Sequence, residues 1–202
     1  CGDVVVDPAN PNIIYLGTGE LNYSGDSQYG DGIYKSQNGG LSWVQVAPGS
    51  LVGTRCSYMA VDPVNNNNVY FAGNLGVFKS TNAGINWVNM NSGTNANCLI
   101  IDPLAPLTIY ITTGGTNAGL VKKSTDGGTT WVTLAGGLPG GMGRIQLAIA
   151  PSNNMIIYAS IAASSGGSLL GLYRTTDGGT TWTSQATSPN YLGSQGWYDN
   201  AV

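Results

Sequence analysis

The sequence predicts an all-β protein in which one unit of four strands is repeated along the chain. An octet ending in tryptophan recurs four times, and the four tryptophans are 44, 44 and 51 residues apart. Glycine provides 31 of the 202 residues, whereas only 8% of the residues are charged, so helix formers are few and turn formers many. Such a period in a chain of this length indicates a repeat architecture.

Each octet has the composition of a tight turn between two strands. A hydroxyl residue comes first, Asp or Asn third, glycine fifth and tryptophan last. The Asp or Asn side chain can bond to backbone N–H groups ahead of it, the glycines supply positive-φ positions, and the Trp ring can cover the turn. The positions predicted to build these turns are Ser36, Asn38, Gly40, Trp43, Ser80, Asn82, Gly84, Trp87, Ser124, Asp126, Gly128, Trp131, Thr175, Asp177, Gly179 and Trp182.

A second repeated element precedes each octet. Apolar, β-branched runs flank an Asp-Pro pair at Asp7, Asp62 and Asp102, and an Ala-Pro pair at Ala150. Proline fixes a turn and cannot continue a central ladder, so each element reads as strand, turn, strand. Joined to the octet hairpin, it makes four short antiparallel strands per repeat, which is the anatomy of a β-propeller blade.

We predict a single β-propeller region over residues 1–202. Its four consecutive blades are predicted at 4–46, 55–90, 97–134 and 143–185, with the first strand of a further blade at 195–202. This arrangement favours an excerpt of a larger propeller over a closed four-bladed ring. The aromatic cluster of Tyr191, Trp197 and Tyr198 is expected to pack against a missing fifth blade, with a binding patch as the alternative.

The octet is complete at Ser124 to Trp131 and at Thr175 to Trp182, where it reads Ser/Thr-x-Asp-x-Gly-x-Thr-Trp. It resembles the Asp-box, also called the bacterial neuraminidase repeat, of sialidases and sortilin-like propellers. In that family the box is a structural turn between the third and fourth strands of a blade, not the active site. The low charge and abundant Asn, Gly, Ser and Thr resemble secreted bacterial repeat proteins, which implies a secreted or cell-surface location.

Composition argues against several function classes. The net charge is −3 and four of the seven basic residues stand before the octets, so no basic stripe remains for nucleic acid. No apolar run approaches the ~18–20 residues of a transmembrane segment. The chain has no histidine, which argues against zinc and histidine acid–base chemistry. Cys1, Cys56 and Cys98 fall on equivalent strands, where buried thiols are favoured over a disulfide between neighbouring blades.

The first blade departs most from the repeat, through an insert between its second and third strands. The insert holds the only glutamate of the chain, and its candidate ligand residues are Glu20, Asn22, Tyr23, Asp26, Tyr29 and Asp31. Exposed tyrosines can stack on a sugar, and Glu20, Asp26 and Asp31 are a candidate calcium set, although their spacing differs from that of the usual calcium loop. No other cofactor is predicted. A solvated surface loop is the alternative interpretation.

These observations favour a non-catalytic extracellular binding or scaffolding module of a secreted or cell-surface bacterial protein. Its expected partners are an unidentified protein or glycan ligand and other blades or domains of the same longer chain. No catalytic residue is predicted, and enzymatic activity stays open. The alternative is part of a carbohydrate-active hydrolase, glycosidase-like or sialidase-like, whose catalytic residues lie partly outside this chain. An intracellular or photosynthetic assembly-factor propeller is a further alternative.

Overall fold

The computed structural model describes residues 2–46, 49, 51–90, 92–93, 95–185 and 189–202. In this part of the chain it contains sixteen β-strands and no helix, and therefore no helix that could cross a membrane. The strands form four antiparallel sheets of four strands each, which confirms the predicted all-β fold and its four-stranded blades. The chain divides into two compact units.

The first unit, Cys1–Ala96, contains the first two blades. Their strands are β1 (Asp3–Val6), β2 (Ile14–Gly17), β3 (Ile33–Ser36) and β4 (Val44–Val46), then β5 (Cys56–Val61), β6 (Val69–Gly73), β7 (Gly76–Ser80) and β8 (Val88–Asn89). Within each blade every strand pairs with its neighbours in sequence, so both sheets are simple meanders.

The second unit, Asn97–Val202, contains the third and fourth blades in the same arrangement. Their strands are β9 (Cys98–Ile101), β10 (Ile109–Thr113), β11 (Leu120–Ser124) and β12 (Val132–Leu134), then β13 (Met142–Ile149), β14 (Ile157–Ala163), β15 (Leu169–Thr175) and β16 (Thr183–Gln185). The treatment of residues 1–202 as one propeller region stays a prediction.

The meander gives each blade two different edges. The turn between the first and second strands and the octet between the third and fourth lie at one edge, called here the turn edge. The connection between the second and third strands lies at the opposite edge, called here the loop edge. The repeated turns therefore occupy one edge, whereas the 15-residue connection between Gly17 and Ile33 lies at the loop edge of the first blade.

Each unit buries apolar residues between its two blades. In the first unit Tyr15 and Ile33 of the first blade pack with Met59, Val69 and Phe71 of the second. In the second unit, Tyr110 and Val121 of the third blade pack with Ile145, Ile157 and Trp182 of the fourth. First, second and third strands all supply these contacts, and along β6 and β14 the contributing residues alternate, as the period of two in a strand requires.

Buried aspartates hold the turns between first and second strands. The Asp102 Oδ1 accepts hydrogen bonds from the backbone N–H groups of Leu104 (2.9 Å) and Ala105 (3.1 Å). Its Oδ2 accepts a third, of 2.7 Å, from the Asn154 amide of the fourth blade. Asp7 is bonded in the same way to its own turn and to Asn66 of the second blade. These carboxylates therefore join neighbouring blades as well as capping their own turns.

The C-terminal segment is not the strand that the sequence predicts at 195–202. It forms turns, in which the N–H groups of Tyr198 and Asp199 donate to the Gln195 carbonyl at 2.7 and 2.8 Å. Its buried Asn200 donates to the Ser160 and Arg144 carbonyls of the fourth blade through its side chain. The segment is therefore held by side-chain contacts rather than by strand pairing.

The two described cysteines, Cys56 and Cys98, are buried free thiols. Burial raises the pKa of the Cys56 thiol, so this side chain stays protonated and unreactive at ordinary pH. Cys1 lies outside the described residues.

Candidate functional site

The four octets share one hydrogen-bond pattern. The first hydroxyl accepts the N–H of the fifth-place glycine and donates to the Asp or Asn side chain, whose oxygen accepts the N–H of the seventh residue. In the third octet these distances are 2.8 Å for Gly128 to Ser124, 2.7 Å for Ser124 to Asp126 and 2.8 Å for Thr130 to Asp126. The sets at Ser36, Ser80 and Thr175 repeat them. The hydroxyl and the Asp or Asn side chain of each octet therefore make their hydrogen bonds within the turn.

The tryptophans close the same turns. The indole N–H of Trp43, Trp87 and Trp182 donates to the carbonyl of the fifth-place glycine at 3.0, 2.9 and 3.0 Å. Their burial differs, because Trp182 is 3% exposed and Trp43 is 38% exposed. The ring is thus a fixed part of these three turns, but its burial depends on the segments around it.

Asp126 and Asp177 make the third and fourth octets sensitive to acid. Hydrogen bonds from the side chain and backbone of Thr130 and from Ser124 lower the pKa of Asp126 to about 2. Equivalent bonds, first among them those of Thr181, lower the pKa of Asp177 to about 2. A folded-state pKa below the unfolded value of about 3.9 gives stability that is present above that value and lost as the pH falls towards 2.

We therefore expect the thermal midpoint of the protein to fall steeply between about pH 4 and pH 2. The double variant Asp126→Asn/Asp177→Asn should show a shallower fall, because amides do not titrate; the chain already uses Asn38 and Asn82 at these places. Calorimetric melting curves at several pH values measure both slopes. Equal slopes for the two proteins would refute this account of the octets.

Tyrosine and lysine side chains link the second and the fourth octet to the blade that precedes each of them. In the first unit the Tyr15 hydroxyl and the Lys35 ammonium donate to the Ala83 carbonyl at 3.1 and 2.9 Å. Tyr15 and Lys35 face each other on paired strands, and the ammonium lies 5.1 Å from the ring centroid. Burial and, secondarily, Asp7 raise the pKa of Tyr15 to about 12, so its hydroxyl remains a donor. We call this arrangement the inter-blade latch.

The second unit repeats the inter-blade latch. Tyr110 and Lys123 donate to the Gly178 carbonyl at 3.0 and 3.1 Å, and Gly178, like Ala83, is the fourth residue of its octet. The sequence shows a basic residue before every octet, but its acceptor in another blade was not predicted. The recurring tyrosine of the second strand was the available signal, since it faces that basic residue in every blade.

The insert of the first blade is a loop whose backbone is held in place by hydrogen bonds. Backbone bonds connect Glu20 to Gln28 at 3.1 Å, and Gly30 to Thr54 at 2.7 Å in the segment that enters the second blade. Leu21 is buried beside that segment, and its N–H donates to the Cys56 carbonyl at 3.3 Å. The loop therefore presents its exposed side chains from a fixed backbone.

Several of the predicted ligand residues form a polar network inside this loop. The side chain of the buried Asn22 donates to Glu20 and accepts from Ser24 and Ser27. Ser24 also donates to Asp26, and this bond is the main reason why the pKa of Asp26 is lowered. These groups support one another, so Asn22 belongs to the loop's own structure.

Tyr29 is the exposed aromatic residue of the loop. Its ring is 65% exposed, and the Arg55 guanidinium lies 4.2 Å from the ring centroid. Arg55 is itself held by a 3.1 Å hydrogen bond from its guanidinium to the Ser27 carbonyl. A ring supported by a bound guanidinium and open to solvent is suited to stack on a ligand.

The two remaining predicted ligand residues are Tyr23 and Asp31. Tyr23 is half-buried with φ of 59°, a left-handed conformation that is uncommon for tyrosine. The exposed Asp31 carboxylate accepts a 2.7 Å bond from the Tyr34 hydroxyl, which raises the pKa of Tyr34. In the described ranges no three His, Cys, Asp or Glu side chains form a group able to hold a metal, so Glu20, Asp26 and Asp31 are not brought together. Calcium binding stays a prediction.

The second aromatic group lies at the loop edge of the fourth blade. The Tyr191 hydroxyl and the Ser160 hydroxyl are 2.6 Å apart, and the Arg144 guanidinium donates to the Trp197 and Tyr198 carbonyls, both at 3.2 Å. Trp197 and Tyr198 contact edge to face, with centroids 5.7 Å apart. The cluster is therefore anchored to the fourth blade, while Tyr191 and Tyr198 keep exposed ring surface.

Comparison with solved structures decides the fold. An ancestral GH74 enzyme matches 93% of this chain with a TM-score of 0.73 and 24% identity, and the match covers 24% of that enzyme. The GH74 xyloglucanase of Xanthomonas campestris matches 90% of this chain with a TM-score of 0.64 and 18% identity, covering 29% of its length. The fold is a β-propeller. The match covers less than a third of each enzyme, which agrees with the prediction of an excerpt of a larger propeller.

Two curated relatives that part of this chain resembles are xyloglucanases. Xyloglucanase Xgh74A of Acetivibrio thermocellus is 34% identical over 101 residues, which cover 44% of this chain and 11% of the enzyme. A xyloglucanase of Paenibacillus sp. is 33% identical over 106 residues, covering 46% of this chain and 10% of the enzyme. The propeller thus spans about a tenth of the length of these relatives. No family model matches the chain.

Proposed function

We propose that this chain is an Asp-box propeller segment of a carbohydrate-active hydrolase and that it contributes binding surface for a β-glucan of the xyloglucan type. The observation that carries the proposal is the 34% identity over 101 residues to a xyloglucanase. The similarity supports the hydrolase alternative better than the non-catalytic scaffolding module favoured by the sequence alone. The octet geometry described above supports the Asp-box assignment.

The binding surface in this proposal is the loop edge of the first blade, centred on Tyr29. A tyrosine ring stacks on the apolar face of a pyranose, and its low conformational freedom reduces the entropy lost on binding. Gln28 and Asp31 are exposed on either side of Tyr29 in sequence and offer donors and acceptors for sugar hydroxyls. The cation–π contact with the Arg55 guanidinium holds the Tyr29 ring in place.

We assign the catalytic carboxylates of such an enzyme at least partly to other parts of a longer chain. Glycoside hydrolysis needs two facing carboxylates. The aspartates of the turns and octets are committed to structural bonds, and Asp3 accepts the N–H groups of Val4 and Met59 at 2.9 and 2.6 Å. Burial raises the pKa of Asp3, as a general acid would require. Its two hydrogen bonds, however, give it a structural role, because they link the first blade to the second. A polysaccharide substrate also supports a location outside the cell.

The proposal predicts that Tyr29→Ala weakens binding of xyloglucan by about tenfold, because the stacking platform is lost. Affinity gel electrophoresis with soluble xyloglucan, and with xylan as a second polysaccharide, measures this change in the mobility of the protein. Tyr198→Ala is the matched control, since it also removes a partly exposed tyrosine, at the loop edge of the fourth blade. Wild-type mobility is expected to be retarded by xyloglucan and unaffected by xylan.

Two results would contradict the assignment. If xyloglucan does not retard the wild-type protein, xyloglucan is not the ligand. If Tyr198→Ala weakens xyloglucan binding more than Tyr29→Ala does, the binding site lies at the fourth blade instead. Repeating the gel with calcium or with a chelator tests the calcium expectation at Glu20, Asp26 and Asp31. If the mobility does not depend on calcium, these three residues have no calcium-binding role in ligand recognition.

A further inference from the structure

A groove lies between the first and second blades, beside the outer strand of the first. Its volume is about 270 Å³. One side is the face of β3 and β4 that carries Lys35, Val44 and Val46, and the other side is the second octet at Ala83 and Ile85. Lys35 and Val44 are paired across the two strands, and Val44 and Ile85 are 68% and 70% exposed. Two blades of one unit thus form the groove, and its apolar sides are open to solvent.

Lys35 gives the groove a positive charge without a carboxylate partner. Its ammonium donates to the Ala83 carbonyl at 2.9 Å, which leaves two of its three N–H groups for other acceptors. Among the described residues no carboxylate lines the groove and none forms an ion pair with Lys35. Burial lowers the pKa of Lys35, and Asp7 opposes this shift, but the oxygens of Asp7 accept hydrogen bonds from its own turn and from Asn66. The charge therefore favours an occupant that brings a carboxylate.

In the second unit, the corresponding octet is covered by a peptide segment of the chain itself. The Gly136 carbonyl accepts the Trp182 N–H at 2.7 Å, and Gly136 lies so close to the Thr180 carbonyl that a Cβ there would clash with it. Thr180 has the place in its octet that Ile85 has in the second. Leu138 of the same segment packs against the core of the unit. A blade pair of this protein therefore accommodates a peptide backbone with an aliphatic side chain beside its octet.

The first unit differs at this place. Gly49 and Gly137 stand at the same position after the first and third octets. A Cβ placed on Gly137 would clash with the Trp182 carbonyl, whereas one placed on Gly49 would have no heavy atom within 4 Å. Trp87 is correspondingly half-buried, while Trp182 is 3% exposed. At Gly49, therefore, the chain does not close over the second octet as it does over the fourth.

We propose that this groove binds an extended peptide segment of a partner protein, in which an aliphatic residue and an acidic residue are two positions apart. Residues i and i+2 of an extended chain point to the same side, about 7 Å apart, so both side chains can enter one groove. The aliphatic side chain packs between Val44 and Ile85, and the carboxylate pairs with Lys35. This inference is independent of the carbohydrate function, because the groove lies at the second octet and Tyr29 lies at the loop edge.

A nuclear magnetic resonance titration of the protein with the peptide acetyl-Leu-Ser-Glu-amide tests the proposal. We expect saturable shifts of the backbone amide signals of Val44, Val46 and Ile85, with a dissociation constant on the order of 1 mM. Acetyl-Leu-Ser-Gln-amide lacks the charge and should bind about threefold to fivefold more weakly, and acetyl-Ser-Ser-Glu-amide, which lacks the aliphatic side chain, should bind more weakly as well. High salt should remove the advantage of the Glu peptide over the Gln peptide.

Ile85→Thr gives the second octet the residue of the fourth and should weaken binding of the Glu peptide by about fivefold. Leu41→Thr is the matched control, because Leu41 has the same place in the first octet and is 88% exposed but does not line the groove. It should leave binding unchanged. Lys35→Gln should make the Glu and Gln peptides bind equally. The proposal is overturned if the wild-type protein shows no saturable shifts, if it binds the Glu and Gln peptides equally, or if Leu41→Thr weakens binding as much as Ile85→Thr.

Discussion

Replacing Trp182 with alanine is expected to lower the free energy of unfolding by about 3–5 kcal/mol. The indole is 3% exposed and packs in the core of the second unit with Leu134 and Leu138, the end of the third blade and the segment that follows it. Its backbone N–H also donates to the Gly136 carbonyl at 2.7 Å. Removing the ring leaves a cavity between two blades and an unpaired Gly179 carbonyl.

Trp43→Ala is the matched control for this effect. Trp43 occupies the same place in its octet and makes the same bond to a glycine carbonyl, but it is 38% exposed. We expect its replacement to cost about 1 kcal/mol, because little apolar area returns to water. Guanidinium titrations of both variants, compared at equal m-values, measure the difference. Equal costs would mean that the burial of Trp182 contributes nothing beyond the turn itself.

The difference between these two tryptophans shows what the sequence could predict and what it could not. The turn is local, because its bonds connect residues within one octet, so hydroxyl, Asx, glycine and tryptophan at fixed places were enough to predict it. The burial of the ring depends on the segment that follows the third blade, where the Gly136 carbonyl accepts the Trp182 N–H and Leu138 packs against the same core cluster. That segment lies outside the repeat, and its position follows from packing rather than from the octet.

In the candidate site, too, some features could be predicted from the sequence and others follow only from the fold. The insert stands out in the sequence because it is longer than the equivalent connection in the second blade, and Tyr29 was among its predicted ligand residues. Arg55 was missed as the group that holds Tyr29, because it lies in the segment leading to β5 and only the fold brings the two together. Calcium binding at Glu20, Asp26 and Asp31 stays a prediction; in the described loop Glu20 accepts a hydrogen bond from Asn22 and Asp26 accepts one from Ser24, both uncharged side chains.

The segment 195–202 shows how a pattern can mislead. Its residues align with the first strand of the first blade, which predicts a strand. A strand needs a partner ladder, however, and Asn200 instead bonds to Ser160 and to the Arg144 carbonyl. A side chain that bonds to the backbone competes with strand pairing. Polar residues near the end of an otherwise apolar pattern were the available signal.

Asp102→Ala is expected to lower the free energy of unfolding by about 3 kcal/mol, the second largest effect after Trp182→Ala. The carboxylate is 3% exposed, and its loss leaves the Leu104 N–H and the Asn154 amide without this acceptor, whereas the Ala105 N–H keeps its bond to the Asp102 carbonyl. One of the two abandoned donors is within the turn and the other is in the fourth blade. The variant should therefore weaken the third blade and its attachment to the fourth together, which guanidinium titration and amide hydrogen exchange measure.

The fourth blade supplies the control for this prediction. Ala150 stands at the place of Asp102, and its turn still forms through backbone bonds, from the Asn153 N–H to the Ala150 carbonyl and from the Ala150 N–H to the Ile156 carbonyl. The turn therefore does not need a carboxylate in order to fold, and Ala150→Asp should leave stability nearly unchanged. If Asp102→Ala is also neutral, the bond to Asn154 adds nothing to the contact between blades. A large loss confined to Asp102→Ala would instead identify the link to Asn154 as the reason for the aspartate.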